Sequence, residues 1–305
     1  MLQIYILSKD RPNDLKKALN SVINQDGYDF EIIVSDNSES REVVEMMRRD
    51  FKDINLIDRT KVLDPAEHIV TVIREATSEY ILIFHDDDVL KKNHVSTIMP
   101  KIILSNDIVA VCTDSTLIGD GVPNNKKVIN SRKELLVNSP NELIEYYFGL
   151  SKGGIIAAWF SGYIYRASSL KQVAESFENR CGKHCDVQLL VELLSFGKIL
   201  WLPSSTFYAQ VNSEQASASE SIYDRIKLIN FMISNGINRK SNGLKFFKCM
   251  YLYRWLKIKN KSIFKLPRSY REKIILKFLF TSFLYLIIFS FPFQKKIISR
   301  LIGRI

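Results

Sequence analysis

Cysteine is scarce in this 305-residue chain. The four residues, Cys112, Cys181, Cys185 and Cys249, are unpaired in spacing and fit a reducing cytosol. Cys181 and Cys185 stand four apart around His184, which invites a metal reading. A structural zinc site needs a second ligand pair, and no other Cys or His pair has ligand spacing, so buried thiols are the expectation. Met1–Leu7 does not read as a secretory leader: it lacks a basic start and a long apolar region, and Lys9, Asp10 and Arg11 follow at once. This segment reads as a buried first strand. Glycine is absent from Ser8 to Asn13, just after it. That counts against a sugar nucleotidyltransferase, which would be expected to grip a triphosphate with a Gly-rich, basic loop. No internal repeat is present.

Acids all but vanish from the C-terminal part. From Arg239 to Ile305 there are 17 Lys or Arg and one acid, Glu272, so this stretch carries +16 of a total +10 and the first 238 residues carry −6. The basic tail is rich in Phe, Leu, Ile and Tyr and lacks a recognisable nucleic-acid motif, which favours an anionic membrane surface over nucleic acid. Ile274–Phe293 is nearly all apolar, with Lys277 its only charge, and is long enough to span a bilayer core. A spanning helix, an in-plane interfacial helix and a packing helix are the open readings. Aromatic richness, Lys277, Pro292 and the basic stretch Phe246–Lys273 favour the interfacial one.

What is present is a regular alternation. Gln3–Leu7, Glu31–Ser35, Ile54–Ile57 and Tyr80–Phe84 read as strands. Between them, Leu15, Leu19, Val22 and Ile23, then Val43, Val44 and Met47, then the stretch Glu67–Ala76, read as helices. The alternation predicts βαβ units and a mostly parallel sheet covered on both faces. Ligands of such sheets sit beyond the carboxyl ends of the strands. Three polar clusters fall there: Ser8–Arg11, Asp36–Ser38 and Asp86–Asp88. Further on, Val109–Cys112 and Ile199–Leu202 read as strands, and 142–148 and 186–196 as helices, the second ended by Gly197.

Asp86-Asp87-Asp88 is the sharpest feature. Three consecutive acids at the end of an apolar strand repel one another, and a hard divalent cation removes that cost. Such an ion, Mn2+ or Mg2+, can bridge to a diphosphate and neutralise a departing phosphate. A solvated acidic loop, or acids at a helix N-terminus, is the plainer reading of the same residues.

The chain resembles the family 2 glycosyltransferases. Ser8-Lys9-Asp10-Arg11-Pro12 with Leu15, Ala18, Leu19, Ser21, Val22 and Gln25 is similar to the family's opening strand and first helix. Glu31–Ser38 resembles its second strand and nucleotide loop, and Ala76–Leu90, ATSEYILIFHDDDVL, the strand entering its Asp-x-Asp motif. The resemblance implies a GT-A, Rossmann-like α/β fold: a mostly parallel central sheet flanked by helices. Together with the basic, aromatic tail it divides the chain into a catalytic domain, 1–218, with a nucleotide-sugar half (1–105) and an acceptor half (106–218), and a helical membrane-associating region, 219–305.

By the same resemblance Ser8 and Arg11 lie beside the nucleotide, and Asp36, otherwise a turn-forming residue, accepts a hydrogen bond from the base. Asp87 and Asp88 meet the metal and diphosphate, and Asp86 faces the nucleotide or ribose. His85 stands where many members have the first Asp of the motif. Asp186, otherwise an N-cap, matches the catalytic base, with Cys185 replacing the usual Glu before it. Trp159 and Gly162 fall on the acceptor side, and Asn212–Ser217 resembles the loop that closes over the diphosphate, where Gln210 and Asn212 stand in for the family's His or Arg. In the helix before the acids, Arg74 is expected at the surface and His68 is a candidate to face the donor. The implied reaction is an inverting transfer from a nucleotide sugar, UDP by prevalence, to a glycan or lipid-linked oligosaccharide at the cytoplasmic face of a membrane. A catalytically inactive membrane-associated scaffold, suggested by His85 and Cys185, is the other reading.

Overall fold

The computed structural model describes residues 1–59, 61–119, 126–129, 131–147, 160–211, 222–241, 243–245 and 247–248. Trp159, the stretch 212–217, the expected domain boundary at 218 and the apolar segment 274–293 lie outside the described residues. The chain divides into two units, Met1–Ile237 and Asn238–Ile305, and every element named below belongs to the first.

The sheet is built outward from β1 (Leu2–Ser8), whose seven residues are all buried. A strand buried on both faces is mostly apolar, as Ile4–Leu7 are, and the buried Gln3 bonds Glu31 and the N–H groups of Thr77 and Ser78. β1 pairs in parallel with β2 (Phe30–Asp36) on one side and β4 (Tyr80–His85) on the other, and β3 (Asn55–Asp58) pairs in parallel with β2. The connecting helices are α1 (Pro12–Ile23), α2 (Glu42–Asp50) and α3 (Pro65–Glu75). α1 begins on Pro12, whose missing N–H is no loss in a first turn, and buries Leu15, Ala18, Leu19 and Val22. α3 starts on Asp64, whose carboxylate accepts from Ala66 N at 2.9 Å, followed by Pro65. α2 carries Glu42 and Glu45 in its first turn and Arg48 and Arg49 in its last, the polarity that the helix dipole favours.

Beyond β4 the sheet changes direction. β8 (Tyr163–Arg166) lies antiparallel between β4 and β6 (Ile108–Ile118), and β6 runs parallel to β9 (Lys198–Gln210). Short strands β5 (Val89–Leu90) and β7 (Leu135–Val137) pair antiparallel with β9. The nine-stranded order is β3-β2-β1-β4-β8-β6-β9-β5, with β7 also on β9. The remaining helices are α4 (His94–Ile103), α5 (Pro140–Tyr147), α6 (Ala167–Glu175), α7 (Cys185–Leu193) and α8 (Ile222–Ser234).

β9 is far longer than the apolar run Ile199–Leu202 suggests, because it continues past Pro203. Leu202 pairs with Thr113 and Ser205 with Asp114, so Pro203 and Ser204 have no partner on β6. The bulge takes up a residue that cannot donate to the ladder. Among the described residues no helix is long and apolar enough to cross a membrane.

Candidate active site

The carboxyl ends of β1, β2 and β4 bring the first-half polar clusters together. Ser8 and Asp36 are register partners at the ends of β1 and β2, and His85 ends β4 beside Leu7. Asp10 adopts a left-handed backbone with φ of 54°, a conformation that Asp tolerates better than most residues. There its carboxylate accepts from Glu39 N and Ser40 N, each at 3.1 Å, while its own N–H donates to Ser38 Oγ at 2.7 Å. Asn37 bonds both backbone groups of Leu63, donating to the carbonyl at 3.0 Å and accepting from the N–H at 2.7 Å. Three loops that meet at this edge are thereby tied to one another.

Asp36 is buried, and its Oδ1 accepts from Ser38 N at 3.2 Å and Ser38 Oγ at 2.5 Å, an Asx turn. Burial pushes its carboxyl above the usual range, and the Ser38 bonds work against that shift.

The three acids have three different environments. Asp86 is fully buried; Arg11 reaches its Oδ1 with Nη2 at 2.5 Å, and Lys9 N donates to its Oδ2 at 3.2 Å. Burial pushes Asp86 up to about 7, against the attraction of Arg11. Asp87 is partly exposed and accepts from Arg11 Nη1 at 2.9 Å. Asp88 is buried, accepts from Gln210 N at 3.0 Å at the end of β9, and bonds the Ser161 side chain. Burial raises it to about 6. His85, Asp87 and Asp88 each present a donor atom, and these atoms lie within 4.8 Å of one another. Among the described residues no other His, Cys, Asp or Glu group converges in this way. The two acids expected at the metal are in this cluster; His85 is an addition, for which the one signal in the sequence was its place in the motif.

The second half of the site stands on aromatics. His85 packs against Phe160, with ring centroids 6.2 Å apart, and Phe160 against Tyr165 at 5.7 Å. Tyr165 stacks on Tyr163 at 5.5 Å, and the Tyr163 hydroxyl accepts from Trp201 Nε1 at 2.7 Å. Asp186 is the second residue of α7, half-buried, and its Oδ2 accepts from the Tyr147 hydroxyl at 3.1 Å. The residue at the cap position is His184, so Asp186 is held by a tyrosine and not by capping. Burial, then the Asp186 charge, hold the Tyr147 phenol well above its ordinary range.

Gly162 lies in a single 3-10 turn, Phe160–Gly162, and its missing side chain is dictated by packing. A Cβ there would sit 2.3 Å from Phe207 Cε1 and 2.8 Å from Cys112 Sγ. One expectation changes, that His68 faces the donor, whereas Arg74 is exposed as expected. His68 is buried against Ser35, with Nε2 and Oγ 2.7 Å apart, and Arg74 donates to the Ala174 carbonyl at 2.6 and 3.1 Å, closing the end of α6. Cys181 and Cys185 are buried free thiols, both pushed upward chiefly by burial, Cys185 to about 12. That disfavours the thiolates a metal would need.

A mixed sheet with its parallel half ending in this polar edge has the architecture of GT-A glycosyltransferases. It superposes on the crystal structure of S. aureus TarS residues 1–349 in complex with UDP-GlcNAc with a TM-score of 0.61, at 16% identity, covering 92% of this chain and 81% of that one. The mannosyltransferase PcManGT from Pyrobaculum calidifontis, in complex with GDP-Man and Mn2+, superposes with a TM-score of 0.55 at 12% identity, covering 93% and 86%. The chain belongs to glycosyl transferase family 2, whose sequence pattern matches residues 3–170. A 104-residue stretch is 31% identical to the GalNAc(5)-diNAcBac-PP-undecaprenol beta-1,3-glucosyltransferase of Campylobacter jejuni subsp. jejuni serotype O:2. That match spans 33% of this chain and 34% of the Campylobacter protein, about a third of each.

Proposed function

We propose that this glycosyltransferase moves a sugar, with inversion, from a nucleoside-diphosphate sugar to a hydroxyl of a lipid-linked glycan. The observation that carries the reading is the position of Arg11, bridging Asp86 and Asp87 beside the His85–Asp87–Asp88 cluster at the sheet's carboxyl edge. A nitrogen and two carboxylates suit a divalent cation, so His85, Asp87 and Asp88 would hold Mn2+ or Mg2+. When bound, the cation supplies positive charge to the departing diphosphate.

Each side chain then has a task. Ser8 and Arg11 line the nucleotide side, and Asp36 offers its Oδ2 to the base while Oδ1 holds the turn. Asp86 stays paired with Arg11 and keeps the guanidinium aimed at the diphosphate. Asp186 takes the proton of the acceptor hydroxyl, whose oxygen attacks the anomeric carbon as the bond to the diphosphate breaks and its electron pair leaves with the nucleotide. Tyr147 holds Oδ2 of Asp186, so Oδ1 faces the acceptor. Trp159 and Gly162 are assigned to the acceptor side. Charge preorganised at both ends of the displacement lowers its barrier.

The lipid-linked acceptor is supported by the name of the Campylobacter relative, whose substrate is an undecaprenyl-linked glycan, and by the +16 charge of the apolar, aromatic tail. The same tail supports a peripheral place on an anionic, cytoplasmic membrane face.

Isothermal titration with UDP, GDP and dTDP, with and without Mn2+, tests the donor site. Metal-dependent binding of one nucleotide, lost in Asp87→Ala and Asp88→Ala, is expected. A folded protein that binds none of them would refute the reading. Sedimentation of the full chain with phosphatidylglycerol vesicles, but not with phosphatidylcholine vesicles, is expected of the membrane role.

A further inference from the structure

The cation site described above is not made of acids alone, and that has a chemical consequence. His85 is the last residue of β4. Its backbone is fixed by parallel pairing with Leu7 of β1, and its ring by packing against Phe160, with centroids 6.2 Å apart. It is thus a rigid donor on the sheet and not a loop side chain free to swing away. Its ring nitrogen lies in the same 4.8 Å cluster as carboxylate oxygens of Asp87 and Asp88.

The third acid is spent elsewhere. Asp86 is fully buried, with Arg11 on Oδ1 at 2.5 Å and Lys9 N on Oδ2 at 3.2 Å. It cannot join the cluster without giving up its ion pair with Arg11, in which the acid is the buried partner, a change that leaves charge uncompensated. Among the described residues the donor set is therefore one imidazole nitrogen and two carboxylates. Asp88 in turn is held in place by Gln210 N at 3.0 Å, which leaves the set little freedom to rearrange around an ion of other preference.

Hard Mg2+ prefers oxygen ligands and binds imidazole poorly, whereas Mn2+ and the later first-row ions accept nitrogen with rising affinity. Resting on the donor-site reading given above, we infer that His85 is a direct metal ligand that makes this site select Mn2+ and later transition ions over Mg2+.

The test uses the full chain with Mn2+ alone and then with Mn2+ and UDP. Pulsed electron paramagnetic resonance of bound Mn2+ is expected to show coupling to a 14N nucleus, and the coupling is expected to disappear in His85→Asp. Competition titration is expected to show that this variant loses on the order of 10-fold or more of its preference for Mn2+ over Mg2+, the scale on which even outer-shell changes act at metal sites. Mn2+ bound without nitrogen coupling, yet lost in Asp87→Asn, would overturn the role of His85 and leave the donor site standing. Coupling that persists in His85→Asp would overturn it as well, by assigning the nitrogen to another residue. A wild-type protein that binds no Mn2+, with or without UDP, would overturn both this inference and the metal-assisted reading. The wild-type spectrum decides the ligand even if the variant folds poorly.

Discussion

Tyr147 donates its hydroxyl proton to Oδ2 of Asp186 across 3.1 Å, joining the last residue of α5 to the first turn of α7. One oxygen of the carboxylate is occupied, and in the proposed reaction the other receives the proton. Asp186→Asn is expected to lower transfer roughly 10²–10⁴-fold, the usual worth of a positioned base. Tyr147→Phe is expected to lower it by roughly 10–100-fold, from the loss of one hydrogen bond to a charged group. Turnover measured beside calorimetric nucleotide affinity checks both. A fall in affinity as large as the fall in rate would mean that the pair serves binding.

Arg11 and Asp86 form an ion pair in which the acid is fully buried and the guanidinium is 42% exposed. Arg11→Met would strand the carboxylate, at an expected cost of roughly 1–3 kcal/mol, less than for a fully buried pair because water screens the arginine. Arg11→Met combined with Asp86→Asn is expected to recover most of that stability without recovering nucleotide binding. Urea unfolding of the three proteins measures the coupling.

His68 supplies a pH dependence. Its Nε2 meets Ser35 Oγ, which also accepts from Arg59 Nε at 3.0 Å, so the serine proton is free for a neutral ring. Burial, then the Arg59 charge, lower His68 from 6.5 to about 4. The unfolded chain therefore binds a proton that the folded chain resists. This contribution to stability is complete above pH 6.5 and is lost as pH falls from about 6.5 to about 4, to a total of roughly 3 kcal/mol. Unfolding free energies across that range should show the decline, and His68→Gln should flatten it.

Gly162 tests the packing of the second half. With Phe207 2.3 Å and Cys112 2.8 Å from the site of a Cβ, Gly162→Ala is expected to destabilise by roughly 1–3 kcal/mol. Phe207→Leu in the same chain is expected to restore part of the loss. Thermal unfolding of the single and double variants checks it. If Gly162→Ala leaves the melting temperature unchanged, the close approach to Phe207 is absent in solution.

The first half of the fold was legible because Ile4–Leu7 of β1 and Tyr80–Phe84 of β4 are unbroken apolar runs, and α1 to α3 carry clean helical spacing between them. Where elements were missed, local signals conflict with the tertiary outcome. α4 holds Pro100 inside it, β5 and β7 are two and three residues long, and Pro203 reads as a stop although β9 passes through it. In the site, Asp86, Asp87 and Asp88 are chemically identical in the sequence. They differ only in their partners: Arg11, the shared position beside His85, and Gln210, which is 122 residues away. The Tyr147–Asp186 bond spans 39 residues and leaves no local pattern. The spacing of His68 in its helix fits either face, and its burial against Ser35 was set by the packing of α3 on the sheet.

The bulge in β9 acts as a length standard for the candidate cation site. Pro203 and Ser204 are unpaired on β6, and Thr206 is passed over between Ser205 and Phe207, so the count of residues through this stretch determines which one arrives at Asp88. At present it is Gln210, whose N–H holds the carboxylate. A single deletion between Pro203 and Thr206 would draw the strand end back by about 3.3 Å and exchange its two faces. Side-chain changes there would be absorbed locally, whereas a change of one in the number of residues would be felt at Asp88, more than a hundred positions earlier in the chain.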